Sequence, residues 1–88
     1  VRLDLFLKRV GLLKRRGLAK EICDAGLVRL DGRVARPGKE IAPGRVVEID
    51  LESERLELEV LALPERNYKK EQGRVFYKTI EHEYKDRY

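Results

Sequence analysis

The sequence predicts an α+β fold: two short helices packed on a small, mostly antiparallel sheet, then a C-terminal tail with a helical pattern. Three observations carry this. Apolar residues recur at helical spacing over the first 25 positions. They alternate with polar residues between Val28 and Val60. An Asp-Gly pair separates two of the alternating runs.

Leu3, Phe6, Leu7 and Val10 follow the i, i+3, i+4, i+7 rule, so the first helix buries one face and ends at Gly11. Asp4 falls in its first turn, where a carboxylate complements the helix dipole. A second helix is expected from about Arg16 to Ala25, with Leu18, Ala19, Ile22 and Cys23 as its apolar stripe and Gly26 as its left-handed terminator. In "LVRLDGRVAR", Val28 and Leu30 alternate, Asp31-Gly32 supplies a two-residue turn and Val34 resumes the pattern, which is a hairpin signature. Pro37-Gly38 and Pro43-Gly44 mark loops. Val47, Ile49 and Leu51 face one way, as do Leu56, Leu58 and Val60. Glu48, Asp50, Glu57 and Glu59 fall on the other face of what reads as an antiparallel pair with one acidic, wet side. Beyond Pro64, Phe76, Ile80 and Tyr84 are spaced by four, so the tail is expected to be helical. The expected organisation is a domain over residues 1–63 and a charged, aromatic extension over 64–88.

The 88 residues suit one compact domain with a small core. Charged residues make up 41% of the chain and the net charge is +4, unevenly spread. Residues 1–20 carry seven Lys/Arg against one acid, residues 21–63 six against ten, and residues 64–88 seven against five. A basic end joined to an acidic middle suggests one face directed at a polyanion. Catalysis has little support. His82 is the one histidine and falls in a polar segment, while Cys23, the one cysteine, falls on an apolar stripe as a buried thiol would. One His and one Cys make a zinc site in one chain improbable, so no metal or cofactor is expected, and no enzyme. The glycines form neither a P-loop nor a dinucleotide fingerprint. No apolar run approaches the length of about 18 residues that spans a bilayer, and the opening "VRLDLFLKRV" lacks a signal-peptide core. A cytoplasmic protein without membrane contact is expected.

The candidate binding residues are basic. Lys14-Arg15-Arg16 precede the second helix, and Lys20 shares a face with Arg16. Arg2 and Lys8 belong to the first helix region, while Arg33, Arg36 and Lys39 surround the hairpin and the loop after it. Arg presents a planar fork to phosphate and Lys a mobile point charge. No aromatics interleave with the N-terminal set on its polar face, which favours backbone and shape reading of structured RNA over stacking on single strands. Ordinary solubilising charge is the competing reading for each of these residues. Asp4 has two readings at this level: a helix-start acid or partner of Lys8, or a carboxylate that orients Arg2 or Arg16.

"RLDLFL" at 2–7, "KRRGLAKEICDAGLVRLDGRVARPG" at 14–38 and "IAPGRVVEI" at 41–49, in this order and spacing, resemble the S4-type RNA-binding domain. The resemblance implies an S4-like (αL) fold. Within that family the chain looks closest to the stand-alone RqcP group of ribosome-associated quality control, through Arg2-Leu3-Asp4, Lys14-Arg15-Arg16, Leu18-Ala19-Lys20-Glu21, and Lys69-Lys70-Glu71 with Tyr77. It implies a protein that binds obstructed large ribosomal subunits holding peptidyl-tRNA, contacts rRNA and tRNA, and supports tailing of the stalled chain by the partner RqcH; a monomer is expected. It also implies that Arg2, Asp4 and Arg16 form the core of the RNA site. Two positions depart from the family's habit: Gly44-Arg45 stands where many S4 domains have Gly-Asp, which implies either a differently shaped turn or an added RNA contact, and Gly17 stands where a hydroxyl residue is usual. The alternatives are the fifteen-kilodalton heat-shock type, whose long basic C-terminal extension this sequence lacks, and a constitutive ribosomal RNA-binding protein.

Overall fold

A computed structural model describes residues 1–10, 18–63 and 76–85. Two helices, α1 (Leu3–Arg9) and α2 (Leu18–Asp24), pack on a five-stranded sheet. Its strands are β1 (Val28–Leu30), β2 (Arg33–Val34), β3 (Val46–Asp50), β4 (Glu54–Val60) and β5 (Tyr77–Tyr84), in the order β2-β1-β3-β4-β5 with every neighbouring pair antiparallel.

The core lies between the helices and one sheet face. From α1 come Leu3, Phe6 and Leu7, with Val10 just beyond; α2 adds Ala19, Ile22 and Cys23. The strands answer with Val28, Leu30, Val47, Ile49, Leu58 and Val60, all buried. Register enforces this. Leu30 pairs with Val47 and Val28 with Ile49, while Val47 pairs with Leu58 and Ile49 with Leu56, so directly opposed residues share a face across three strands. No polar or charged side chain is buried among the described residues.

Local chemistry sets the ends of the elements. α2 terminates as its sequence demands: Gly26 adopts φ +77°, its N–H donates to the Cys23 carbonyl, and the Leu27 N–H donates to the Ile22 carbonyl, both at 3.0 Å. That pair of bonds is a Schellman motif, which satisfies two otherwise orphaned carbonyls. The hairpin turn is the expected one. Asp31 (φ +52°) and Gly32 (φ +85°) occupy the two left-handed positions of a tight β1–β2 connection.

The tail departs from expectation. Residues 77–84 form an edge strand on β4 rather than a helix. The spacing of Phe76, Ile80 and Tyr84 imitates a helical stripe, but Ile80 is 50% and Tyr84 74% exposed, so no such stripe packs on the core. Tyr77 and Phe76 are half-buried against it instead. Between Glu57↔Glu81 and Leu58↔Thr79 the register shifts by one, leaving Ile80 as the extra residue of a β-bulge. Pairing along the full length of β4 thus outweighs the local periodicity.

On the outer sheet face, Glu48 stands opposite Glu57, and Glu57 opposite Glu81. Three carboxylates in a row across adjacent strands repel one another. Arg55 resolves this: its guanidinium lies 3.1 Å from Glu48, 3.6 Å from Glu57 and 3.6 Å from Glu81.

Candidate nucleic-acid interface

The start of α1 lacks a side-chain cap. Its free N–H groups are satisfied by the loop after the hairpin: Leu3 N–H donates to the Lys39 carbonyl at 2.8 Å and Asp4 N–H to the Pro37 carbonyl at 3.1 Å. Arg2 forms an isolated antiparallel bridge with Glu40. These bonds fasten the segment carrying Arg2 to the loop carrying Arg36 and Lys39. Residues more than 30 positions apart in the chain thereby become neighbours.

The result is a broad, open concavity of about 1040 Å³. Arg2, Lys20, Arg33, Arg36, Lys39 and Arg45 line it, over a floor that includes Leu30, Ala35, Pro37 and Gly38. Three acids also line it. Two of them are paired with its own bases: Asp24 with Lys20 at 3.9 Å, and Asp31 with Arg45 at 2.6 Å. Six bases against three acids leave the lining net positive.

Arg2 is held from two sides. Its Nη2 donates to Asp4 Oδ2 at 3.2 Å, and Asp4 Oδ1 accepts the Leu5 N–H at 2.8 Å. Its guanidinium also lies over Gly38: Nε, Cζ and Nη2 are all 3.7–3.8 Å from the point where a Cβ would sit. The Arg2 side chain nonetheless stays 55% exposed, so most of its N–H donors face solvent. The Asp4 carboxylate turns to Arg2, and no ion pair with Lys8 forms among the described residues.

Of the residues named from the sequence, Arg2, Lys20, Arg33, Arg36 and Lys39 converge on this concavity, and Asp4 stands behind Arg2. Lys8 is exposed on α1 and does not line the concavity. Lys14, Arg15 and Arg16 lie outside the described residues. Arg45 joins the lining as well; the sequence marks the Gly44-Arg45 turn as one that could add an RNA contact, without ranking Arg45 among the binding residues. The turn through Pro43 and Gly44 (φ +91°) closes with the Arg45 N–H on the Ala42 carbonyl at 3.3 Å and directs the chain into β3.

Among the described residues, catalytic chemistry finds no parallel constellation. Burial, helped by the nearby charges of Asp4 and Asp24, pushes the Cys23 thiol up to about 11, the wrong direction for a nucleophile. His82 is exposed and meets Glu54 at 3.2 Å. Among the described residues, no group of three or more His, Cys, Asp or Glu is disposed to hold a metal, and no helix is long and apolar enough to cross a membrane.

The chain belongs to the S4 domain family, whose model matches residues 1–47. Within that family it is similar to proteins named RQC P-site tRNA stabilizing factor. It is 34% identical over 83 residues to the one from Halalkalibacterium halodurans, covering 94% of this chain and 93% of that one. It is 47% identical over 49 residues to the one from Helicobacter pylori J99; there the match spans 56% of this chain and just 58% of the relative's length. Among solved structures, heat shock protein 15 of Vibrio cholerae superposes with a TM-score of 0.80 at 22% identity, over 90% of this chain and 80% of that one, a likeness of fold.

Proposed function

We propose that this chain is a non-catalytic, cytoplasmic RNA-binding factor that engages obstructed large ribosomal subunits carrying peptidyl-tRNA. It contacts rRNA and tRNA through the basic concavity and supports RqcH-dependent tailing of the stalled chain. The observation that carries the reading is the convergence of Arg2, Lys20, Arg33, Arg36, Lys39 and Arg45 on one open surface. The near full-length similarity to a protein named as a P-site tRNA stabilizing factor supports the ribosomal setting. Arg16, Arg15 and Lys14 stay with the proposal as RNA-binding bases, and Asp4 as the group that orients Arg2.

The concavity suits a folded RNA. It is wide, its donors are guanidinium and ammonium groups, and among the described residues its floor is small and apolar without an aromatic platform. Phosphate contacts of this kind dominate affinity and make it salt-dependent. With roughly six contacts, affinity falls about 10³-fold between about 50 and 200 mM salt.

Sedimentation tests the ribosomal setting. Added to a lysate with stalled translation, the protein should enrich on large subunits that hold peptidyl-tRNA and be lost from them at high salt. Equal distribution over all large subunits would instead mark a constitutive ribosomal protein. Enrichment without any effect on RqcH-dependent tailing would remove RqcH from the reading.

A further inference from the structure

Arg2 and Arg45 are built alike. In each case one aspartate divides its two oxygens between a backbone N–H and an arginine. Asp4 takes the Leu5 N–H at 2.8 Å and Arg2 at 3.2 Å. Asp31 takes the Val46 N–H at 3.0 Å and Arg45 at 2.6 Å. In each case the arginine lines the concavity and stays more than half exposed, 55% for Arg2 and 58% for Arg45. An arginine fixed through one or two of its five N–H donors keeps the others for a ligand and loses less side-chain freedom on binding.

We infer that Arg45 is a second carboxylate-held arginine of the polyanion site, a phosphate contact at the hairpin-turn end of the concavity, with Asp31 as its positioning residue. The inference rests on the RNA-binding reading above. Two backbone features support it. Asp31 is the one described non-glycine residue with positive φ, and the tight turn this creates points its carboxylate at the start of β3. Gly44, also left-handed, shapes the turn through which the chain reaches β3, and Arg45 is exposed there. The Val46 N–H first, and Arg45 second, hold the Asp31 carboxyl below the usual range, so it is ionised at neutral pH and keeps its grip on the guanidinium. A carboxylate so close subtracts from the attraction for phosphate. It does so at Arg2 as well, and the compensating gain at both places is a guanidinium already in position.

The test measures binding of the full chain to large ribosomal subunits carrying peptidyl-tRNA, across a salt series. Arg45→Gln should weaken binding about ten-fold and reduce the slope of log affinity against log salt by about one. Arg45→Lys keeps the charge but loses the planar fork, so it should keep the slope and lose affinity. Asp31→Asn still accepts the Val46 N–H and tolerates positive φ. It should weaken binding about three-fold with the slope unchanged, and add nothing once Arg45 is Gln. A role confined to the turn would move melting temperature and leave the salt slope alone. If Arg45→Gln keeps wild-type affinity and slope while Arg36→Gln loses both, Arg45 lies outside the site and the RNA reading stands. If wild type itself binds without salt dependence, both readings fall together.

Discussion

Arg55 and Arg45 carry the same guanidinium to opposite fates. On the outer sheet face, Arg55 is surrounded by Glu48, Glu57 and Glu81 and is only 26% exposed. Its charge is spent within the protein, relieving repulsion that the strand register itself creates. Around the concavity, the arginines with a carboxylate partner have one each, and their remaining donors face solvent. Residue type alone would treat Arg55 and Arg45 alike. What separates them is how many acids the fold sets within reach, and that follows from which residues stand opposite each other across the strands.

The largest expected effect comes from inverting the concavity. Arg36→Glu with Lys39→Glu should lower affinity for tRNA-bearing large subunits on the order of 100-fold. Melting temperature should hardly change, because both side chains are exposed. A loss of stability of the kind a core mutation causes would mean that these side chains hold the fold instead. Next is Arg55→Met, which leaves three carboxylates facing one another. Thermal melting should fall clearly while RNA affinity stays at the wild-type value; reduced affinity in a fully folded variant would show that the outer face also meets RNA.

Acid should loosen the concavity through Asp31. Its folded-state carboxyl titrates below the ordinary 3.8 because of the Val46 N–H and Arg45. The stabilisation is therefore present above the unfolded value and is lost as pH falls through the folded one. Melting curves of wild type and Asp31→Asn should differ at neutral pH and converge as pH falls through the lowered folded-state value of Asp31. A gap that persists unchanged into strong acid would mean that ionised Asp31 does not stabilise the turn. The smallest effect concerns Cys23, which belongs to neither face. With its thiol raised to about 11 and only 3% of the residue exposed, it should resist alkylation at pH 8 until the protein is unfolded. Rapid modification of the folded protein would contradict the packing of α2.

The first helix and the hairpin were legible because their determinants are local: an apolar residue every three or four positions, and Asp-Gly between alternating runs. The bases of the site were legible as types but not as a group. Arg2 reaches Arg36 and Lys39 only through the Leu3 and Asp4 N–H bonds to the loop carbonyls, which no periodicity encodes. Arg45 lies fourteen positions from Asp31, so their pairing depends on the hairpin folding against β3. The tail misled for a related reason. Phe76, Ile80 and Tyr84 fit a helix when read alone, and the decisive partner, β4, is some twenty residues away and reached with a bulge in register. Local spacing predicts well where the core is the only partner, and poorly where a strand edge competes.

The most direct test of the account places a photo-crosslinking residue at Val34, exposed in the concavity, or at Glu59, on the outer sheet face, and assembles each variant with obstructed large subunits. Abundant crosslinks to rRNA or tRNA are expected from position 34 and essentially none from position 59. RNA crosslinks from position 59 with none from position 34 would contradict an RNA site in the concavity.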